Sequence, residues 1–515
     1  MQQSHKLIFN ALTSYGAAFV QGLVGFLLVP LLLNKLGKEA YGVILLCFST
    51  QSMTELLGMT LGKAVTKYIS EYRAKKDSEQ ICQFFNSAIV WFLMIGILSG
   101  TIVAFLGIYF DEIFSDISPS LARDAKYSML FIAFSSAICL MMDIFRGILW
   151  AEQRYDIVNI SASTRSIGYA VVAALYVYYI SPSILAVVII MGSFRILMRI
   201  SFARQAFKLV PELKLSLSKL SKKHFLIITN YAAMTAVVTV ANLIGYEFVK
   251  FIVGIELTFE DVTNYGIVIF MVMFAYFLIQ NISHIMVPAA SRYQGLNDTE
   301  NVKRLFLTGT KYVNFIGLGM FIAIAPILDN FIVLWVGAEY KSLTPMIILL
   351  GLSQVLVGAA SCSQQTLSGL GKVKFIAAVS IIWAISGVTT GWLYLKFVPG
   401  ATLANFVLII ALARVLGGAA IIGYGLKCMN VKILKYFKTY YSPIVFSLLI
   451  CIFSYFIDRQ FQINSWIKFI LWLVFFETTY LLIVFLGGLE TWEKVLFISF
   501  FKKMLLKLQI TKTCD

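Results

Sequence analysis

Long uncharged apolar runs constrain this chain more than any other feature of its sequence. The first extends from Asn10 to Leu33 and the second from Ala40 to Leu61, and the turn sequence NKLGKEAYG lies between them. Runs of about twenty residues, at ~1.5 Å of rise per residue, cross a hydrocarbon layer of ~30 Å. Because a backbone in lipid must satisfy its own hydrogen bonds, such runs form helices. The sequence therefore predicts that the chain begins with a membrane-spanning helical hairpin.

Similar runs continue to the end of the chain, which is 59% hydrophobic and only 13% charged. Soluble domains are roughly a quarter charged, so the composition excludes a soluble globular protein. We predict an all-α polytopic membrane protein with about fourteen transmembrane helices. The predicted spans are Asn10–Leu33, Ala40–Leu61, Phe84–Phe110, Tyr127–Trp150, Val158–Ile180, Ile184–Phe207, Phe225–Gly254, Asn264–Ala289, Val313–Val336, Pro345–Leu370, Phe375–Phe397, Thr402–Leu426, Tyr441–Ile457 and Trp466–Leu486.

The basic residues indicate the orientation of these spans. When lysines and arginines are assigned to alternate connectors and nearby span ends, 33 of the 42 fall on one side of the membrane. Cytoplasmic connectors carry such an excess, so both termini are predicted to be cytoplasmic. The same scatter through short connectors argues against nucleic acid as a partner, although the formal net charge is +16.

The opening hairpin has a counterpart later in the chain. Tyr41-Gly42 corresponds to Tyr265-Gly266, and the segment KDSEQ at 76–80 corresponds to NDTEN at 297–301. The second copy begins after six spans, which predicts two parallel repeats related by an axis along the membrane normal. The predicted divisions are an N-terminal lobe at 1–210, a C-terminal lobe at 211–438, a further pair of spans at 439–488 and an amphipathic cytoplasmic tail at 489–515.

Several short motifs resemble one family of exporters. The pattern comprises Asn10, Pro30, Leu36-Gly37, Tyr41-Gly42, the basic segment at 63–76 and GILWAEQRYDIVN at 147–159. It resembles the Wzx-type polysaccharide flippases of the multidrug/oligosaccharidyl-lipid/polysaccharide (MOP) exporter superfamily. The resemblance implies two six-helix lobes in a V around a polar cavity, with two extra C-terminal helices.

The resemblance also implies a function. It is alternating-access export of undecaprenyl-diphosphate-linked oligosaccharide, an O-antigen, capsule or exopolysaccharide unit, across the bacterial inner membrane. We further expect a monomer in contact with membrane lipids and the polysaccharide polymerase machinery, with H⁺ or Na⁺ as coupling ion. The related peptidoglycan-precursor flippases carry arginines in the first span, and Asn10–Leu33 contains none, which disfavours that substrate.

Two other classes of function compete with this interpretation. A cation-coupled drug antiporter of the same superfamily is the nearest alternative, although such transporters commonly have twelve spans. The other class is a membrane glycosyltransferase or polymerase, which is not expected because the sequence shows neither a large external loop nor an acidic catalytic motif. The segment 369–372 resembles the end of a phosphate loop but lacks its leading glycine and its Ser or Thr. The seven cysteines show no spacing typical of metal ligands or disulfides.

Arginines deep within spans are the strongest candidates for contact with a diphosphate. Arg195 and Arg414 both lie near the middle of their spans, at equivalent places in the two copies. Buried charges in membranes usually face a cavity or a partner, and the guanidinium fork matches phosphate oxygens. We therefore predict that this pair binds the diphosphate or an acidic sugar. The alternative is that each snorkels to the interface or pairs within its own lobe.

Further binding candidates are weaker, because each has a structural explanation. Asp143 and Arg146 lie three residues apart and are expected to neutralise each other. For the basic candidates named below the structural explanation is helix anchoring or membrane topology. For the side-chain amides it is interhelical hydrogen bonding. The other candidates are Arg165 for guiding the substrate in, Lys67 and Arg292 for an anionic headgroup or lipid phosphate, and Gln280, Asn281 and Gln364 for the glycan.

Two carboxylates within spans are candidates for ion coupling. Glu55 lies about two thirds of the way through the second span, and Glu247 lies near the outer end of the seventh. A carboxylate there can bind and release a proton or Na⁺ in the membrane field. Glu247 has an alternative partner in Lys250, three residues on. Glu55 has no such partner within one turn of its own helix, which makes it the better candidate.

Overall fold

Helices are the only regular elements among the residues that the computed structural model describes, which are 2–284, 286–458, 463–495 and 498–499. The all-α prediction is therefore confirmed. Helices α1 to α10 are Gln2–Leu36, Lys38–Ala74, Ser78–Ile108, Phe110–Ile113, Pro119–Met141, Asp143–Ala151, Tyr155–Tyr179, Ile184–Leu209, Lys222–Asn242 and Val249–Glu256. Helices α11 to α19 are Phe259–His284, Met286–Gly295, Thr299–Ile324, Leu328–Trp335, Thr344–Gly369, Val373–Phe397, Leu403–Cys428, Ile433–Asp458 and Trp466–Ile483.

Eleven helical segments in the described part of the chain are long and apolar enough to cross a membrane. They coincide with eleven of the fourteen predicted spans, and the protein is a multi-pass membrane protein. The other three predicted spans fall on α9 with α10, on α11, and on α13 with α14. Each of these includes residues whose side chains the structure does not describe.

The chain forms two compact units. Unit 1 comprises Met1–Ile269 and Ala377–Ala413, and unit 2 comprises Phe270–Ile376 and Arg414–Asp515. An apolar cluster of unit 1 packs buried aromatic and aliphatic side chains of α2, α3, α6 and α8 against one another. Unit 2 contains two smaller clusters, one around Phe306 and one around Phe476. The lobe boundaries proposed from the sequence stay predictions.

Turns at matching places in the two copies have the same backbone geometry. Lys76 and Asn297 both adopt positive φ, at 56° and 55°. Gln153 and Gly371, which precede α7 and α16, also adopt positive φ, at 56° and 74°. At each of the four turns the N–H of the next residue donates to a carbonyl five residues before it, at 2.9 to 3.1 Å. These bonds are typical of Schellman helix ends, so the repeat seen in the sequence extends to its turns.

Close contact between α2 and α6 positions the charged residues described below. A Cβ added at Gly58 on α2 would lie 1.8 Å from Oδ2 of Asp143, and one added at Gly147 on α6 would lie 2.8 Å from the Gly62 carbonyl oxygen. Small residues allow helix backbones to approach closely inside a membrane. The two helices therefore meet along a glycine seam, and a carboxylate of α6 lies directly against the α2 backbone.

Candidate functional site

Five charged side chains inside unit 1 are linked by ion pairs, and a sixth, Arg165, interacts electrostatically with Glu55; we call these six the arginine cluster. They come from four helices, α2, α6, α7 and α8, and combine four guanidinium groups with two carboxylates, which leaves a formal charge of +2. The members are Glu55, Asp143, Arg146, Arg165, Arg195 and Arg199. A net positive charge among membrane helices is costly to place there, which makes the cluster a candidate functional site.

Asp143 forms the sealed part of the arginine cluster. Its side chain is 1% exposed, and its Oδ2 accepts a hydrogen bond of 2.8 Å from Nη2 of Arg146. Its Oδ1 forms an ion pair of 2.9 Å with Nη2 of Arg199, which is 2% exposed. The predicted pairing of Asp143 with Arg146 is confirmed, and Arg199 adds a second guanidinium to the same carboxylate. The single negative charge of this buried carboxylate offsets one of the two positive charges of its guanidinium partners.

Glu55 forms the accessible part of the arginine cluster. Its side chain is 27% exposed, and its carboxylate accepts a hydrogen bond from Nη2 of Arg195. Arg146 and Arg199 approach the same carboxylate at 3.4 and 3.7 Å. Nη1 of Arg195 donates to Oε1 of Gln51 at 2.5 Å. The carboxylate of Glu55 therefore has three guanidinium neighbours, although its own helix supplies none within one turn.

The structure brings three of the predicted site residues into contact, namely Arg146, Arg195 and Glu55, and places Arg165 within electrostatic reach of Glu55. The sequence interpretation missed Arg199, which was assigned only to the topological charge count. Its spacing of four residues from Arg195 on α8 was an available signal, because side chains at i and i+4 share one helix face.

Lys67 lies elsewhere in unit 1. Its ammonium lies 4.7 Å from the ring centroid of Tyr68 and 5.7 Å from that of Tyr231.

Glu247 and Lys250 form the predicted i,i+3 ion pair, at 2.9 Å. That contact confirms the structural alternative for Glu247, and its role in ion coupling stays a prediction.

The remaining candidates belong to unit 2. Arg414 on α17 is 2% exposed, Gln364 on α15 is partly buried, and Arg292 near the end of α12 is exposed. The side-chain amide of Gln280 donates to the hydroxyl of Tyr276 at 2.5 Å. Asn281 falls outside the residues whose side chains the structure describes. The proposed pairing of Arg195 with Arg414 stays a prediction.

Hydroxyl groups join helices in the part of unit 2 that carries the predicted glycan-binding amides. The hydroxyl oxygens of Ser283 on α11 and Ser361 on α15 lie 2.6 Å apart, and both are buried. This contact is of the kind that holds helices together within a membrane. It favours a packing role for this polar region. Among the described residues, no group of three or more His, Cys, Asp or Glu side chains is placed to hold a metal ion.

The helices and the buried cluster define a polytopic all-α membrane fold with charge held between its helices. The structure of the lipid II flippase MurJ in an inward closed conformation shares this fold, with a TM-score of 0.73 and 15% identity over 93% of this chain and 99% of that one. An inward-facing MATE family transporter of the MOP superfamily matches with a TM-score of 0.69 and 13% identity, over 80% of this chain and 94% of that one.

A MATE structure in complex with MaD3S matches at a TM-score of 0.60 and 14% identity, over 82% of this chain and 96% of that one. No protein-family model and no curated protein sequence matches the chain. At these identities the similarity establishes the fold alone, which this chain shares with these MurJ and MATE structures.

Proposed function

We propose that this protein is a flippase that moves undecaprenyl-diphosphate-linked oligosaccharide units across the bacterial inner membrane by alternating access. The arginine cluster carries the proposal. Its formal charge of +2 complements the two negative charges of a diphosphate diester, and part of it, at Glu55 and Arg195, is accessible. Guanidinium groups bind phosphate oxygens in pairs. A diphosphate moving through hydrocarbon without such partners would pay a large desolvation cost.

The fold supports a flippase over a shorter transporter. The match to MurJ covers 93% of this chain, whereas the match to the inward-facing MATE transporter covers 80%. The first span lacks the arginines expected of peptidoglycan-precursor flippases, so we favour an O-antigen, capsule or exopolysaccharide unit as substrate. We place both termini in the cytoplasm because most basic residues lie in connectors on that side.

A cation-coupled antiporter of the MATE type is the second candidate. It is favoured by Glu55, a partly exposed carboxylate within a span, because a carboxylate in that position can bind H⁺ or Na⁺. The two candidates predict different cargo: an anionic lipid for the flippase, and a small drug-like molecule for the antiporter.

Reconstitution into vesicles tests the proposal. Wild-type protein is expected to move a fluorescent undecaprenyl-diphosphate-linked trisaccharide between leaflets. The movement is measured as the fraction of the fluorescence that a membrane-impermeant quencher added outside the vesicles can remove. Arg195→Gln should lower the initial rate about tenfold or more, because it removes a charge-assisted hydrogen bond to the diphosphate.

Arg204→Gln is the matched control, since Arg204 is an exposed arginine on the same helix, α8; its rate should stay near that of wild type. Transport of ethidium without transport of the lipid would refute the flippase and support the antiporter.

A further inference from the structure

The two carboxylates of the arginine cluster differ in accessibility. Asp143 is 1% exposed and lies against the α2 backbone at Gly58, whereas Glu55 is 27% exposed. Their guanidinium partners differ in the same direction, because Arg199 is 2% exposed and Arg195 is 12% exposed. An ion that enters the cluster would therefore meet Glu55 and Arg195 first.

Glu55 presents to the arginines the same chemistry as a phosphate group. A carboxylate offers two anionic oxygens to a guanidinium fork, as a phosphate does. Two N–H groups of Arg195 donate to side-chain acceptors: one on Nη2 donates to Glu55 and one on Nη1 donates to Gln51. A phosphate oxygen that takes the N–H of Nη2 directed at Glu55 must therefore replace that carboxylate.

We infer that Glu55 is an internal counter-anion of Arg195 and that the diphosphate of the substrate displaces it; this inference rests on the proposed function. Asp143 stays paired with Arg146 and Arg199 throughout. When no substrate is bound, Glu55 supplies the anion that pairs with Arg195. When Glu55 returns to Arg195 it competes with the bound diphosphate and promotes its release. The exchange makes and breaks ion pairs only.

This arrangement predicts that affinity and turnover change in opposite directions. Glu55→Gln removes the competing charge, so the diphosphate should bind about tenfold more tightly. Transport should become slower by a similar factor, since affinity gains of this kind appear mostly in the dissociation rate. A residue with a purely structural role would weaken binding and transport together.

Binding to full-length protein in nanodiscs tests the inference, with undecaprenyl diphosphate as the probe. Inorganic pyrophosphate is the second ligand, and distinguishes a lipid headgroup from a free anion. Glu71→Gln is the matched control, because Glu71 lies on the same helix and forms an exposed ion pair with Lys75. The expected result is tighter binding and slower transport for Glu55→Gln, no change for Glu71→Gln, and stronger binding of the lipid than of pyrophosphate.

Equal or weaker binding by Glu55→Gln, with Glu71→Gln unchanged, would overturn the inference and leave the proposed function standing. Absence of binding by wild-type protein would instead overturn the proposed function. Preference for pyrophosphate over the lipid would overturn the lipid as ligand. If Glu55→Gln does not fold, Glu55→Asp is tested instead. The shorter side chain keeps the charge but reaches Arg195 less well, so the affinity of this variant for undecaprenyl diphosphate should rise. An unchanged or lower affinity would overturn the inference.

Discussion

Replacement of Gly58 by alanine tests the packing that supports the arginine cluster. The new Cβ would lie 1.8 Å from Oδ2 and 2.8 Å from Cγ of Asp143, so the carboxylate must move. That carboxylate bonds Arg146 at 2.8 Å and pairs with Arg199 at 2.9 Å. Breaking a buried ion pair costs ~3–5 kcal/mol, while alanine gains ~1 kcal/mol over glycine in a helix. We expect a net loss of ~2–4 kcal/mol.

Gly62→Ala is the matched control, one turn further along α2. Its Cβ would meet its nearest neighbours, in Gly147 and Trp150, at 3.8 to 3.9 Å, which is ordinary van der Waals contact. Thermal unfolding of detergent-solubilised protein, followed by intrinsic fluorescence, should place the Tm of Gly58→Ala below wild type and that of Gly62→Ala at or above it. Equal Tm values for the two variants would show that the Asp143 carboxylate moves at no cost, and would refute the reasoning.

Two further predictions concern the helix ends and the segment after the last span. Asp77 and Asp298 each accept a backbone N–H at 3.0 Å at equivalent helix starts, so alanine at either should cost ~1 kcal/mol; clearly unequal Tm losses would contradict their equivalence. Burial raises the pKa of Glu493, but hydrogen bonds from Lys311 at 2.8 Å and Tyr312 at 2.7 Å hold that pKa below its usual value overall. The stability that the Glu493 carboxylate contributes is therefore present above the ordinary glutamate pKa and is lost as pH falls. The difference in Tm between wild type and Glu493→Gln should accordingly shrink from about pH 7 to about pH 3. A difference in Tm that does not change with pH would contradict this.

Much of the fold follows from local properties of the sequence. Apolar runs predict spans because each helix must satisfy its own backbone hydrogen bonds in lipid. The turn at Lys76 and its counterpart at Asn297 were also visible, since the acidic residue that follows each is a good helix N-cap. The pairs Asp143 with Arg146 and Glu247 with Lys250 needed only a spacing of three residues.

The arginine cluster could be predicted only in part. The depth of Arg195 in the membrane follows from its place in the span, at a fixed rise per residue. The same reasoning found Glu55 but gave it no partner, because Arg195 is 140 residues away in the chain and Arg146 is 91. Depth along the membrane normal says nothing about which helices lie side by side.

The sequence by itself thus determined the class of fold, the helices, their turns and the depth of each charge, because these depend on residues within a few turns of one another. The tertiary structure alone decided that Glu55 and Asp143 share guanidinium partners, that one carboxylate is sealed and the other accessible, and that Arg199 belongs with them. The physical reason is that the packing of α2 against α6 and α8 depends on contacts such as Gly58 with Asp143, between residues far apart in the chain.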